Sequence, residues 1–148
     1  MQEIATTELL DILNNIKTDQ MDSYIAQYGS LKVNTNIFSE YVAEHDISVS
    51  SIVKRCEGYI SKSYIYDILG GIKKNPSRDI ILTLCIAAKM NRKMVRRVLE
   101  NYHHRDLYPK DTRDIIIATH INNKEFDINI INDALFEYQL PLLNDQRT

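Results

Sequence analysis

Cationic side chains surround one short segment near the middle of this 148-residue chain. Lys62 lies at the start of the segment, and Lys73, Lys74 and Arg78 follow a double glycine at residues 70 and 71. Lysine and arginine neutralise phosphate groups, so the chemistry that this spacing favours is the binding of a polyanion. The helices and loops that carry these cations determine whether they lie on one surface.

The distribution of charge along the chain is uneven, although the formal net charge is only −2. Residues 50–110 carry 13 basic and five acidic side chains, a net charge of +8. Residues 1–49 carry −6 and residues 111–148 carry −4. A basic block of this kind is typical of a polyanion-binding surface, and a basic patch that faces an acidic protein would have the same composition.

The composition is that of a soluble globular domain, with 44% hydrophobic and 26% charged residues. No apolar run approaches the roughly 18 residues that span a membrane. The N-terminus is acidic and lacks the basic start of a signal peptide, so we expect a cytoplasmic protein without a membrane partner. Cys56 and Cys85 lie among apolar residues at helical spacing and are predicted to be core thiols.

Motifs of enzymes are missing from the sequence. It contains no glycine-rich phosphate loop, no metal-ligand spacing and no nucleophile motif. Asp111 and Asp114 lie three residues apart, but the first turn of a helix attracts acidic residues without any catalytic role. We therefore expect no catalysis, no cofactor and no metal.

The apolar residues recur at helical spacing almost everywhere, and Pro and Gly are scarce, which predicts an all-α fold. We predict a compact multi-helix domain with an N-terminal helical region over 1–36 and a core over 37–103. A helical hairpin over 104–148 is expected to pack on that core as a C-terminal extension. The helix caps expected from residue type are Ser39, Ser61, Ser77, Thr112 and Asp127.

Two short helices lie at the centre of the core. In "SKSYIYDILGG" the residues Ile65, Ile68 and Leu69 fall at i, i+3 and i+4 and face the interior. Four residues of this segment are left pointing away from the core: Lys62, Ser63, Tyr66 and Asp67. The preceding helix, "SVSSIVKRC", stops before Gly58. Two short helices joined by a tight glycine turn are the pattern of a helix-turn-helix.

The segment "ISKSYIYDILGGIKKNPSRDIILTLCIAAKM" resembles the lambda-repressor/Cro-like (Xre-type) DNA-binding domains. The matching positions are Ile60, Ser61, Ile65, Ile68, Gly71, Pro76 and Ser77. Over about residues 30–143 the chain is similar to a group of bacterial helix-turn-helix proteins with a C-terminal helical extension. The resemblance implies a five-helix core and a transcription regulator that binds double-stranded DNA, and helix-turn-helix proteins commonly do so as homodimers.

The resemblance also implies a recognition helix over about 61–70 in the major groove. Lys62 would donate to guanine or to a phosphate, and Ser63 would form a sequence-tolerant hydrogen bond. Tyr66 would contact a phosphate or a thymine methyl group. Asp67 would accept from cytosine N4 or would repel the DNA backbone. Tyr64 is better explained by packing against the neighbouring helix.

Phosphate contacts are expected on both sides of this helix. Lys73, Lys74 and Arg78 in the loop over 72–78 would set affinity without reading sequence. Ser50 and Ser51 lie in the first turn of the preceding helix, where backbone N–H groups favour a phosphate. The alternative for both serines is simple capping of that helix.

Two other functions fit the same sequence. A protein-interaction adaptor would keep the helix-turn-helix fold without reading DNA, and its basic face would dock an acidic partner or one of its own acidic ends. The acidic N-terminal and C-terminal helices are also candidates for dimerisation or partner binding. The other alternative is a small-ligand sensor in which the C-terminal hairpin closes a pocket, but the sequence contains no polar cluster that supports it.

Overall fold

Helices make up all the regular structure in the part of the chain that the computed structural model describes, which is residues 6–28, 36–73 and 75–143. This confirms the predicted all-α class. Over these ranges there are nine α-helices and a short 3-10 turn at Thr18–Gln20. The α-helices are α1 Thr6–Asn15, α2 Met21–Tyr28, α3 Ile37–Glu44, α4 Val49–Arg55, α5 Lys62–Leu69, α6 Arg78–Ala87, α7 Arg92–Asn101, α8 Thr112–Asn122 and α9 Ile128–Glu137.

The chain forms two compact units, Met1–Asn34 and Thr35–Thr148. In the first unit, α1 and α2 meet where the Tyr24 hydroxyl donates to the Leu9 carbonyl at 3.5 Å. No residue of α2 is buried. In the second unit, α8 and α9 contribute to the same core as the helices before them, through side chains that include Ile117, Ile131 and Leu135.

Helix α6 is the centre of the second unit. Its predicted stripe of Ile81, Leu84, Cys85 and the following Ala88 is at most 1% exposed. The helix packs against α4, α7 and α9, so it contacts neighbours on several sides. This arrangement explains why almost every residue between 81 and 90 is buried. Among the helices of the described ranges, none is long and apolar enough to cross a membrane.

Most helix starts follow the expected capping chemistry. Ser61, Ser77 and Asp127 accept hydrogen bonds from backbone N–H groups of the first turn, as predicted. The prediction of Ser39 was wrong, because Asn36 caps α3 and the Ser39 hydroxyl donates to the Leu69 carbonyl at 2.8 Å. The cap of α8 is likewise one residue earlier than predicted: Asp111 caps it in place of Thr112.

Candidate nucleic-acid interface

Helix α5 has one face fixed in the core and the other open to solvent. Ile65 and Ile68 are fully buried, whereas Lys62, Ser63, Tyr66 and Asp67 are exposed. The Ser61 hydroxyl accepts from the Tyr64 backbone N–H at 3.2 Å and begins the helix. The structure therefore places the four residues predicted to contact bases on the accessible side of one helix.

The turn between α4 and α5 positions the two helices. Cys56 and Ile60 are buried at its two ends, and the backbone N–H of Ile60 donates to the Cys56 carbonyl at 3.0 Å. Gly58 lies between them with φ of +88°, a left-handed conformation that glycine adopts without steric cost. The turn is thus held from the inside by two apolar side chains.

A groove of about 480 Å³ runs between α4 and α5. Ser50 and Lys54 line it from α4, and Lys62 and Tyr66 line it from α5. The Lys62 ammonium group lies over the Tyr66 ring, 5.9 Å from its centroid. A cation and an aromatic ring at this distance attract each other, so these two side chains form one surface. Lys54 was missed in the sequence, although it lies four residues after Ser50 and so shares its helix face.

The other predicted residues lie outside the groove. Ser51 lines a different cleft, and its hydroxyl donates to the Ser48 carbonyl at 2.7 Å. Ser63 and Asp67 are exposed on α5 but do not line the groove. The set of residues predicted as one interface is therefore divided between the groove and the surface around it.

The loop after α5 brings a further cation beside the helix. Lys73 is exposed, and its ammonium group lies 5.9 Å from the centroid of the half-buried Tyr64 ring. Tyr64 packs against the core, in agreement with its predicted structural role. Lys74, the second predicted phosphate ligand of this loop, lies outside the described residues.

Arg78 has a structural role, which corrects its prediction as a phosphate ligand. Its guanidinium group donates two hydrogen bonds, of 3.0 and 2.9 Å, to the carboxylate of Asp114, which is buried. It also donates to the backbone carbonyls of Arg105 and Asp106. Burial disfavours the charged form of Asp114, but the Arg78 hydrogen bonds and the Tyr108 backbone N–H outweigh it and hold the pKa of this carboxyl below its usual value.

Other charges of the basic block are also engaged within the protein. Arg92 pairs with Asp106 at 3.0 Å, and Arg96 pairs with Glu100 at 3.0 Å. Glu57 also lines the groove between α4 and α5. The ion pairs reduce the cationic surface of the block to the exposed side chains that form no ion pair within the described residues. Near α5 these include Lys54, Lys62 and Lys73.

Neither cysteine offers a reactive group at the surface. Both thiols are free and fully buried, and burial raises the pKa of Cys56 to about 12 and raises the pKa of Cys85 as well. Within the described ranges, no three or more His, Cys, Asp or Glu side chains gather where they could hold a metal ion.

Comparison with known proteins adds no relative. No family model matches the chain, and neither a curated protein nor a solved structure matches it. The groove, the exposed face of α5 and their charges are therefore the observations from which a function is inferred.

Proposed function

We propose that the protein is a sequence-specific DNA-binding transcription regulator in which α5 enters the major groove. The observation that carries this proposal is that α5 has one apolar face buried in the core and one polar face exposed to solvent. Ile65 and Ile68 are buried and anchor the helix to the core. The exposed side chains of the other face can form hydrogen bonds. The major groove of B-DNA admits an α-helix and presents a distinct pattern of donors and acceptors for each base pair.

The base contacts are assigned to the exposed side chains of α5. Lys62 donates to guanine O6 or N7, and Tyr66 contacts a thymine methyl group or a phosphate oxygen. Ser63 forms a hydrogen bond that tolerates several bases, and Asp67 accepts from cytosine N4. The contact between Lys62 and Tyr66 restricts both side chains before DNA binds, which lowers the entropy that binding costs.

The phosphate contacts are assigned to the residues on either side of α5. Lys73 contacts one strand from the loop, and Ser50 and Lys54 contact the other from α4. Lys74 is assigned a phosphate contact from its place in the sequence, next to Lys73. Arg78 is excluded because Asp114 holds it. The regulator acts in the cytoplasm as a homodimer on a two-fold site, because doubling a short recognition surface is the usual way in which such helices gain specificity.

The test is a salt series with purified protein, a duplex of its own upstream DNA and a random duplex. Lys62→Ala is expected to reduce the preference for the specific duplex by roughly 1–3 kcal/mol, because it removes a base contact. Lys73→Ala is expected to weaken binding to both duplexes equally and to lower the salt slope by about one. Lys93→Ala is the matched control, because Lys93 is exposed on α7 and does not line the groove.

A protein-interaction adaptor is the second candidate. Ile72, three residues after the end of α5, is 76% exposed, and Tyr66 within α5 is 45% exposed. Contiguous exposed apolar surface marks contacts with another protein, and this candidate requires Ile72 and Tyr66 to belong to such a patch. Equally weak binding to both duplexes that vanishes near physiological salt would favour the adaptor over the DNA reader.

A further inference from the structure

A second concave site lies on the other side of α4. It is a cleft of about 790 Å³, formed by α4, the turn after it, the turn between α6 and α7, and the start of α9, and we refer to it as the α4–α9 cleft. Its volume falls in the range of small-molecule sites. Lys54 and Glu57 line both this cleft and the groove beside α5, so the two sites share a wall.

The α4–α9 cleft gathers cations from separate segments. Lys54 and Arg55 come from α4, and Lys89 comes from the turn between α6 and α7. Across the described part of the chain neither lysine forms an ion pair, although Glu57 and Asp127 also line the cleft. Asp127 accepts from the backbone N–H groups of Asn129 and Ile130, so its carboxylate is directed into the first turn of α9.

Arg55 is held in a fixed position at this site. One of its terminal nitrogens donates to the Ala87 carbonyl at 2.8 Å, which ties α4 to the end of α6. No other partner of its guanidinium group is found in the described residues, and the side chain is exposed. A positioned guanidinium group with N–H donors to spare is suited to a carboxylate or a phosphate, which it contacts with two parallel hydrogen bonds.

Aromatic side chains form the apolar part of the cleft. Tyr59 and Phe126 are half-buried, and both pack against the core. The Tyr59 hydroxyl donates to the Asn129 side-chain oxygen at the start of α9. Two positioned rings next to three cations combine an apolar wall with anion-binding groups, the combination that orients an organic ligand.

We propose that the α4–α9 cleft is a binding site for a small organic anion with a flat aromatic body. Arg55 and Lys89 bind its carboxylate or phosphate group, and Tyr59 and Phe126 contact its ring. The site is distinct from the polar face of α5, and binding to it is measurable without DNA. Its existence therefore does not depend on the proposed DNA recognition.

The test is an NMR titration of the full chain, labelled with ¹⁵N, with 2-naphthoate and with 2-naphthyl phosphate. Saturable shifts are expected for amides of residues 54–59, 87–89 and 126–129. The tighter of the two probes identifies the anionic group that the cleft prefers. The neutral 2-naphthalenemethanol lacks the anionic group, and inorganic phosphate lacks the aromatic ring. Each is expected to bind at least about tenfold more weakly than the better of the two probes.

Variants then assign the anion contact. Arg55→Gln and Lys89→Gln are each expected to raise the dissociation constant about tenfold, because each removes a charged hydrogen bond. Lys93→Gln, on α7, is expected to leave it unchanged. If Arg55→Gln unfolds the chain, Lys89→Gln in its exposed turn decides the question. Shifts outside the cleft, equal affinity for 2-naphthalenemethanol, or unaltered affinity in Lys89→Gln would overturn the proposal.

Discussion

At the scale of single residues, Asp114 is the most constrained charge in the described chain. It is 1% exposed, and it accepts hydrogen bonds from two nitrogens of Arg78 and from the Tyr108 backbone N–H. Through these contacts one carboxylate joins α8 to the start of α6 and to the segment between α7 and α8. Its contribution is therefore to the fold, and catalysis is not needed to explain its position.

Replacing Asp114 is expected to be strongly destabilising. Asp114→Asn should lower the free energy of unfolding by about 3 kcal/mol, because it leaves the guanidinium group of Arg78 without its counter-charge in a mostly buried site. Urea denaturation followed by circular dichroism measures the change. Asp133→Asn, at an exposed position of α9, is the matched control and should change stability little. Equal effects of the two substitutions would contradict this account.

The same carboxylates predict how stability depends on pH. The pKa values of Asp114 and Asp106 are both lowered in the folded protein: burial opposes ionisation, but hydrogen bonds from Arg78 and Arg92 outweigh it. A lowered pKa contributes stability above the unfolded pKa, near 4, and this contribution is lost as the pH falls through the folded value. The stability difference between the native chain and Asp114→Asn should therefore shrink below about pH 4. A difference that stays constant down to pH 2 would refute this linkage.

The two thiols are expected to be inert in the native protein. Burial raises the pKa of Cys56 to about 12 and raises that of Cys85 as well, so almost no thiolate forms at pH 8. Ellman's reagent should react with neither cysteine in native buffer and with both in urea. Rapid modification of the native chain at pH 8 would show that the core around Cys56 opens readily.

At the scale of helices, chain reversal after a helix mostly occurs without glycine. Within the described ranges, five residues other than glycine adopt a left-handed conformation just beyond helix ends: Asp46, Lys89, His103, Lys124 and Gln139. Each is followed by a backbone N–H that donates to a carbonyl five residues earlier, as when Met90 donates to Cys85 at 3.0 Å. Sequence reading predicts such ends from glycine, so these five were not detectable by that signal.

Helix α5 ends in the same motif with glycine in the left-handed position. Gly71 has φ of +78°, and the next N–H, of Ile72, donates to the Asp67 carbonyl at 2.9 Å. Gly71→Ala is expected to cost about 1 kcal/mol, because a Cβ atom disfavours this conformation. A Cβ atom at Gly71 would meet no other atom within 4 Å, so the loss is conformational. Gly71→Asn is the control at the same position, since asparagine tolerates the left-handed conformation better than alanine and should cost less. Thermal denaturation of both variants measures the difference, and equal losses would exclude backbone conformation as its cause.

At the scale of the whole molecule, the spacing of apolar residues in the sequence predicted which face of a single helix is buried. The helical period placed Lys62 and Tyr66 outside and Ile65 inside, because burial of α5 follows its own apolar spacing. The partner of Arg78 was not predictable, since Asp114 lies 36 residues further along the chain. The α4–α9 cleft was missed for the same reason: its walls come from separate segments, and only the packing of α4 and α9 against α6 brings them together.

The distribution of buried residues predicts where the cooperative folding unit begins and ends. Every buried apolar side chain in the described ranges lies between Phe38 and Leu143. A chain of residues 35–148 should therefore fold by itself, with a free energy of unfolding within about 0.5 kcal/mol of the full chain. A chain of residues 35–103 should not fold, because it lacks core residues such as Ile117 and Ile131, both fully buried.

The chain of residues 35–148 also distinguishes the effect of net charge on DNA affinity from the effect of α5 on sequence preference. Residues 35–148 carry 16 basic and 15 acidic side chains, a net charge of +1 against −2 for the full chain. We expect this chain to bind a random duplex more tightly at low salt, because the acidic segment that repels phosphates is gone. Its preference for the specific duplex should stay the same, since α5 is unchanged. Loss of that preference would assign residues 1–34 a part in recognition, either through dimerisation or through direct contact with DNA.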